Sequence, residues 1–342
     1  MCAALVDSLV AQGHRVSVFG AGTRSGTSAE FVSTISQTQH PRLGEGLPEM
    51  LHVTRANRLI EEYQADVVHD HTAAGLLTAS NRSVPTVATV HNNPSGEIGD
   101  FLSGLDPSVG MVAISAAQRR LRTDLPWTAT VHNGLATDRV PSTAVVPDGD
   151  PDDDRPVLWL ARFSPDKGPD LAIQACRAAR LPLVLAGKCT EPGEQRYLRE
   201  VIAPMLGPDT ELVLNADRRR VRSLLRDARC LLMSIRWQEP FGMVMVEAMA
   251  EGTPVVALDR GAVREIVRPG VSGLVCTEPD ELPDALRQVT GIDPQSCITH
   301  VKEYFSADLM ARRYTRVYRS VMSSTLHNPS QMFAGAGTGA RF

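Results

Sequence analysis

Short apolar runs rich in β-branched residues alternate with stretches of helical periodicity along most of the chain. The runs fall at 15–19, 66–69, 86–90, 110–114, 157–160, 182–186, 211–214, 230–234, 254–257 and 273–275. Where nearly every position of a short run is apolar, the strand is expected to be covered on both faces, and helical stretches between such strands predict parallel crossovers. The pattern predicts an α/β fold. The chain opens in a helical pattern at 2–11 that stops at Gly13-His14. An α/β domain ordinarily begins with a strand, so a first strand is expected to be missing ahead of that helix.

A chain of 342 residues is long enough for two domains, each with its own core. The periodicity lapses between Ser142 and Pro156, where Pro, Gly and five aspartates accumulate (Asp148, Asp150, Asp152, Asp153, Asp154). This reads as a solvated linker, because the glycine and terminal glutamate of a calcium loop are absent at the required offsets. The expected organisation is an N-terminal domain at 1–141, a linker at 142–156, a C-terminal domain at 157–306 and a helix at 307–324 that crosses back. A small, polar, glycine-rich tail at 325–342 is expected to be disordered.

Composition removes several function classes. Hydrophobic residues make up 43%, charged residues 22% and aromatics 5%, with a net charge of −4. Such a balance gives neither the stacking surface nor the field that nucleic-acid binding requires. The basic run Arg218-Arg219-Arg220 with Arg222 reads as the solvated face of a helix, a weak basis for membrane contact. Six cysteines are scattered without a C-x-x-C pair, as expected of buried thiols in a reducing compartment. No apolar run reaches the length of a membrane span, and no signal-peptide pattern opens the sequence. A cytoplasmic location is expected.

The chemistry concentrates in Ile235-Arg-Trp-Gln-Glu239-Pro-Phe-Gly242-Met-Val-Met-Val-Glu247-Ala-Met-Ala-Glu-Gly252. A strand ends before it, a loop carries Glu239, and Pro240 with Gly242 opens a helix. The free amides of Phe241, Gly242, Met243 and Val244 would form an anion site suited to a diphosphate. Glu239 and Glu247 would then address polyol groups on either side of it, Glu239 the sugar hydroxyls and Glu247 those of a ribose. Read alone, each carboxylate is equally explained as a dipole partner or an exposed helix residue. A second element, Ala161-Arg162-Phe-Ser-Pro-Asp-Lys167-Gly168, places two cations in the loop after a strand, where they can neutralise phosphate.

In the N-terminal half, His91 ends the strand Thr89-Val90-His91-Asn92, and His69-Asp70-His71 ends another. Alternation puts His69 and His71 on one side, yet no third ligand is evident in the sequence, so lining of a substrate cleft is favoured over a metal.

Arg162, Lys167 and the Glu239/Glu247 spacing, followed by Gly-Thr-Pro-Val-Val, resemble the retaining glycosyltransferases of family four, glycosyl transferases group 1. Residues 161–168, 185–188, 239–257, 261–267 and 270–275 fit the pattern in order, as do Val131-His-Asn-Gly134 and Gly13-His14-Arg-Val; the likeness thins between Ser25 and Tyr63. The resemblance implies the GT-B fold, two Rossmann-like domains facing across a cleft. It implies that Arg162 and Lys167 bind the donor diphosphate, that Glu239 and the 241–244 backbone hold the transferred sugar, and that Glu247 holds the ribose. His91 would lie near that sugar and His71 toward the acceptor. No metal or cofactor is implied; the partners are a nucleotide diphosphate sugar, UDP-linked by preference over GDP-mannose, and an unidentified acceptor. The nucleobase is expected around 215–218.

The sequence departs from the family at Ala262 and Arg264, where glycine and proline are common, and at Asn215, where glycine is common. Most members place one more strand and a glycine-rich loop before the first helix, and these are expected to be missing here. A sugar-nucleotide binding protein with weak or no catalysis and a sugar-nucleotide epimerase are the alternatives. A nicotinamide dehydrogenase is disfavoured because no G-x-G-x-x-G follows any strand.

Overall fold

A computed structural model describes residues 1–24, 26–39, 42, 45–136, 140, 141, 143 and 154–326. Most of the expected linker and residues 327–342 of the expected tail lie outside them. The described chain forms two compact units. One comprises Met1–Ile114, Arg119–Val131 and the chain from Met310; the other comprises Ser115–Gln118 and His132–Leu309.

In the first unit the helix Cys2–Ala11 buries Leu5, Ser8 and Leu9, one stripe at helical spacing. Gly13, at φ 88°, turns the chain out of that helix and into β1 (Ser17–Ala21), which pairs in parallel with β2 (Glu30–Ile35). A separate four-stranded parallel sheet runs β3 (Val68–Asp70), β4 (Thr86–Val90), β5 (Gly110–Ala113), β6 (Trp127–Thr130) in that spatial order. Its core joins Ala88, Val90, Met111, Ala113 and Trp127 of the sheet to Leu76, Leu102, Leu105 and Leu125. The pattern of apolar runs anticipates neither β2, which is half-exposed and carries Glu30, Ser33 and Thr34, nor β6, whose threonines interrupt its apolar character.

The last helix, Ala307–Leu326, extends beyond the expected 307–324. Its residues from Met310 group with the first unit, and two of its tyrosines close a buried polar network on the sheet. Tyr314 Oη lies 2.6 Å from Thr89 Oγ1, Thr89 Oγ1 lies 2.7 Å from His69 Nε2, and His69 Nδ1 lies 2.8 Å from Tyr318 Oη. Desolvation keeps His69 well below the ordinary histidine range. Both of its ring nitrogens are engaged, so His69 is a structural residue and not the cleft-lining one expected.

The second unit holds six parallel strands: β7 (Val157–Leu160), β8 (Leu183–Gly187), β9 (Thr210–Leu214), β10 (Cys230–Met233), β11 (Val255–Leu258) and β12 (Gly273–Cys276). Their order is β12-β11-β10-β7-β8-β9. Every residue of β10 and β11 is buried, as parallel strands covered on both faces require. The order reverses between β7 and β10, and in doubly wound sheets ligands bind outside the carboxyl ends of the strands at that switch point. The loops leaving β7 and β10 are the two that carry Arg162, Lys167 and Glu239. The fold class is thus α/β, with parallel ladders throughout the described residues.

Candidate active site

The loop after β7 leaves the sheet at Ala161, whose amide still donates to Ala186 O at 3.1 Å. Phe163 is fully buried against Trp159, ring centroids 5.2 Å apart, and anchors the loop while Arg162 remains exposed, its Nη1 4.0 Å from Glu194 Oε1. A 3-10 turn, Pro165–Lys167, and Gly168 in the left-handed region (φ 64°) then lead into the helix Pro169–Ala179. That turn brings Lys167 to the loop after β10. Lys167 Nζ lies 2.8 Å from Glu239 Oε2 and 4.1 Å from the centroid of the Trp237 ring. Trp237 Nε1 donates to the same carboxylate oxygen at 3.0 Å.

The Glu239 loop is held from both sides. Arg236 grips both carboxylate oxygens of Asp170 at 2.8 and 2.6 Å and donates to Pro165 O at 2.8 Å, and its own amide donates to Asp166 O at 2.8 Å. On the other side the Ala262 amide donates to Glu239 O at 2.9 Å and the Gly261 amide to Gln238 Oε1 at 2.8 Å. A side chain at Gly261 would collide with the Glu239 backbone. Glu239 is therefore buried in a fixed place, next to the helix Met243–Ala250.

That helix starts at Gly242 (φ 84°) without a side-chain cap. Met245 N–H turns back to Gly242 O at 3.0 Å. Met243 and Val244, in the first turn, have no carbonyl one turn back to bond, and the amides of Phe241 and Gly242 make no backbone hydrogen bond among the described residues. Four amides without a backbone acceptor thus lie at or next to the positive end of a helix dipole. Glu247 lies on the exposed side of the same helix.

Sequence reasoning named Glu239 and Lys167 separately and missed Arg236, Trp237 and Asp170, which hold them together. The Arg-Trp pair inside the motif loop was the available signal. It also missed His132 and Glu265: the Glu265 carboxylate accepts from the Ala116 and Ala117 amides at 2.8 and 2.6 Å and lies 3.1 Å from His132 Nε2. Asn215 adopts φ 54°, a left-handed conformation in which asparagine replaces glycine most readily, and its Oδ1 accepts from the Cys189 amide at 3.0 Å.

In the first unit, His71 and His91 follow the adjacent strands β3 and β4. His71 Nδ1 lies 3.0 Å from His91 Nε2, with the rings stacked at 5.2 Å. Desolvation lowers both imidazoles, His71 to about 4 with a further contribution from His91. Cys2, at the start of the first helix, completes a group of three potential ligand atoms. None of the residues named from the sequence lines the cavity of about 310 Å³ bordered by Arg268, Asp293, Gln295, His300 and Tyr304.

Residues 1–139 match the family model described as Glycosyltransferase Family 4, and residues 146–294 match that of glycosyl transferases group 1. A putative glycosyltransferase of Bacillus subtilis, YtcC, is 29% identical over 192 residues, 50% of this chain and 47% of that protein. A phosphatidyl-myo-inositol mannosyltransferase of Mycolicibacterium smegmatis is 28% identical over 304 residues, 83% of this chain and 75% of that one. The chain thus spans about half the length of the first and three quarters of the second. Among solved structures, Anabaena HepE in complex with UDP and glucose superposes with a TM-score of 0.68 at 19% identity, covering 93% of this chain and 96% of that one. The doubly wound sheet, the loops at its switch point and the two family matches agree: the chain belongs to glycosyltransferase family 4 and is a glycosyltransferase of the GT-B type. Among the described residues no helix is long and apolar enough to cross a membrane.

Proposed function

We propose that the chain transfers a hexose from a UDP-linked donor to an acceptor hydroxyl with retention at the anomeric carbon and without a metal. The observation that carries this reading is the 2.8 Å contact of Lys167 with Glu239 beside the uncapped helix start. A diphosphate accepting from the amides of Phe241, Gly242, Met243 and Val244 would have Lys167 and Arg162 as counter-charges. Glu239 then receives the hydroxyls of the transferred sugar, and Glu247 the two ribose hydroxyls. The bond from the anomeric carbon to the phosphate oxygen breaks, the acceptor oxygen bonds to that carbon on the same face, and the acceptor proton passes to the leaving phosphate. Cations and helix amides stabilise the charge that develops on the leaving group. His91 and His71 are assigned hydrogen bonds to sugar and acceptor hydroxyls. The two relatives named as glycosyltransferases support transfer chemistry, and the UDP complex of HepE supports the choice of nucleotide.

Calorimetric titration with UDP, GDP and ADP, with and without divalent metal, tests the reading. The expected result is metal-independent binding of UDP, weakened at least about tenfold in Arg162→Ala and Glu247→Ala, as loss of a charged hydrogen bond implies. Tighter binding of GDP would replace the donor nucleotide; no nucleotide binding to the folded chain would overturn the proposal.

A further inference from the structure

We propose that Cys2, His71 and His91 form a site for a soft divalent cation of the zinc class. The three residues come from separate segments that the sheet topology gathers at one edge. β3 and β4 are neighbours in parallel, with His69 opposite Val87 and Asp70 opposite Ala88, so the chains leaving them carry His71 and His91 out side by side. Cys2 is the first residue of the helix Cys2–Ala11. One ligand atom from each residue lies within 4.8 Å of the other two, and the two imidazole nitrogens are 3.0 Å apart. Tetrahedral zinc bound by two nitrogens and a sulfur holds its ligand atoms roughly 3.3–3.6 Å from one another. The imidazoles have to part by a few tenths of an ångström and give up the hydrogen bond between them, its proton passing to the far nitrogen of the donor ring, and the thiol, on an exposed residue, needs a shift of about 1 Å.

The surroundings hold part of the site in place. The His71 ring packs against His69, centroids 4.3 Å apart and planes tilted by 34°, and His69 is itself fixed by Thr89 and Tyr318, so one ligand ring already rests on an immobile surface. A thiolate with two neutral imidazoles is the donor set that selects zinc, cobalt or copper over magnesium or calcium. On binding, the Cys2 thiol releases its proton to solvent and one coordination position stays open for water or a hydroxyl. Occupancy would also withdraw His71 and His91 from sugar and acceptor and so inhibit transfer; that consequence rests on the proposed function, whereas binding does not.

The test is titration of the untagged, metal-free, reduced chain with Co²⁺, followed by absorption. One equivalent should produce visible bands of tetrahedral intensity and a sulfur-to-cobalt charge-transfer band in the near ultraviolet, both abolished by one equivalent of Zn²⁺. Cys2→Ser should remove the charge-transfer band, and His71→Gln and His91→Gln should each weaken binding by more than the ~10–100-fold typical of losing an outer-sphere partner. Circular dichroism of each variant verifies its fold. Failure of the chain to bind Co²⁺ saturably, or an unchanged spectrum and affinity in folded Cys2→Ser, would overturn the proposal. Zinc binding without loss of transferase activity would leave the site standing and remove only the inhibitory consequence.

Discussion

Arg236 holds Asp170 through two parallel hydrogen bonds, 2.8 and 2.6 Å long, and so ties the loop that carries Glu239 to the helix that follows Lys167. The two residues are 66 positions apart in the chain: Arg236 lies in the loop after β10, and Asp170 in the first turn of the helix entered from the loop after β7. Their clasp fixes the separation between a cation and a carboxylate that neither loop could fix alone. Asp170 titrates below its ordinary value: desolvation opposes ionisation, but the guanidinium more than compensates.

Replacing Arg236 by Lys keeps the charge and loses the fork. Arg236→Lys and Asp170→Asn are each expected to lower kcat/KM for transfer about tenfold. Stability should change by no more than about 1 kcal/mol, because the pair is partly exposed. The double variant should be no worse than either single one. Steady-state kinetics on the four proteins of the double-mutant cycle check this, and additive losses would mean that the clasp does not act as a unit.

Lys167 and Glu239 have side chains only 12% and 11% exposed, so each leaves a buried charge behind when the other is removed. Lys167→Ala and Glu239→Ala are expected to lower turnover by at least ~100-fold, the scale of losing an electrostatic contact to the transition state. They should also lower stability by about 1–3 kcal/mol, the cost of an orphaned polar partner. Turnover and thermal melts on each variant decide this; near-normal turnover would remove that residue from the mechanism.

Most of the second unit could be read in the sequence, because β7, β8, β10 and β11 are buried along nearly their whole length and appear as unbroken apolar runs. Val157–Leu160 was located to the residue. In the first unit, Glu30–Ile35 and Trp127–Thr130 escaped, since half-exposed strands studded with serine and threonine carry no such run. Strand order was out of reach: nothing local in Cys230–Met233 shows that it lies beside Val157–Leu160 instead of following Thr210–Leu214. The same limit applies to the site. Helix starts and loop cations are local and were read; Arg236 with Asp170, His132 with Glu265, and Cys2 with His71 and His91 meet only through the topology.

Glu265 gives the stability a pH dependence. Desolvation raises its pKa, but hydrogen bonds from His132 and from the Ala116 and Ala117 amides outweigh that, and the folded value lies below the ordinary one. A carboxylate depressed in this way stabilises the fold fully above its unfolded pKa and loses that contribution as pH falls through the folded pKa. Glu265→Gln should therefore cost about 1–3 kcal/mol at pH 7, the range for hydrogen bonds to a charged group. The gap to the parent should narrow once the pH drops below about 4. Denaturant melts at pH 7, 5, 4 and 3 measure the gap directly, and a constant gap would show that ionisation of Glu265 is not its source.

Trp237 contributes two separable interactions, a hydrogen bond from Nε1 to Glu239 and a ring face under Lys167. Trp237→Phe removes only the first. It should lower kcat about tenfold, equivalent to one hydrogen bond to a charged acceptor, with little change in UDP affinity. Trp237→Leu removes the ring face as well and should lower kcat further, by the ~0.5–2 kcal/mol of a cation–π contact. Equal losses in both variants would assign the whole effect to the hydrogen bond.

Gly242 has to adopt φ 84° for the helix Met243–Ala250 to begin where it does. A β-carbon at that position would meet Met245 Cε and crowd Glu239 Cγ. Gly242→Ala therefore combines left-handed strain of about 1–2 kcal/mol with a push on the two groups that define the site. The flexible Met245 side chain can move aside, whereas Glu239 is held by Lys167, Trp237 and Ala262 and cannot move without breaking them. The first helical turn should tilt away, carrying the free amides with it. The expected result is a folded protein whose UDP affinity falls at least about tenfold, the loss of a hydrogen bond to a charged ligand. Calorimetry with UDP and a thermal melt on the same sample separate the two effects: a large drop in melting temperature with unchanged UDP affinity would show that Gly242 serves only the fold, and that the diphosphate is held elsewhere.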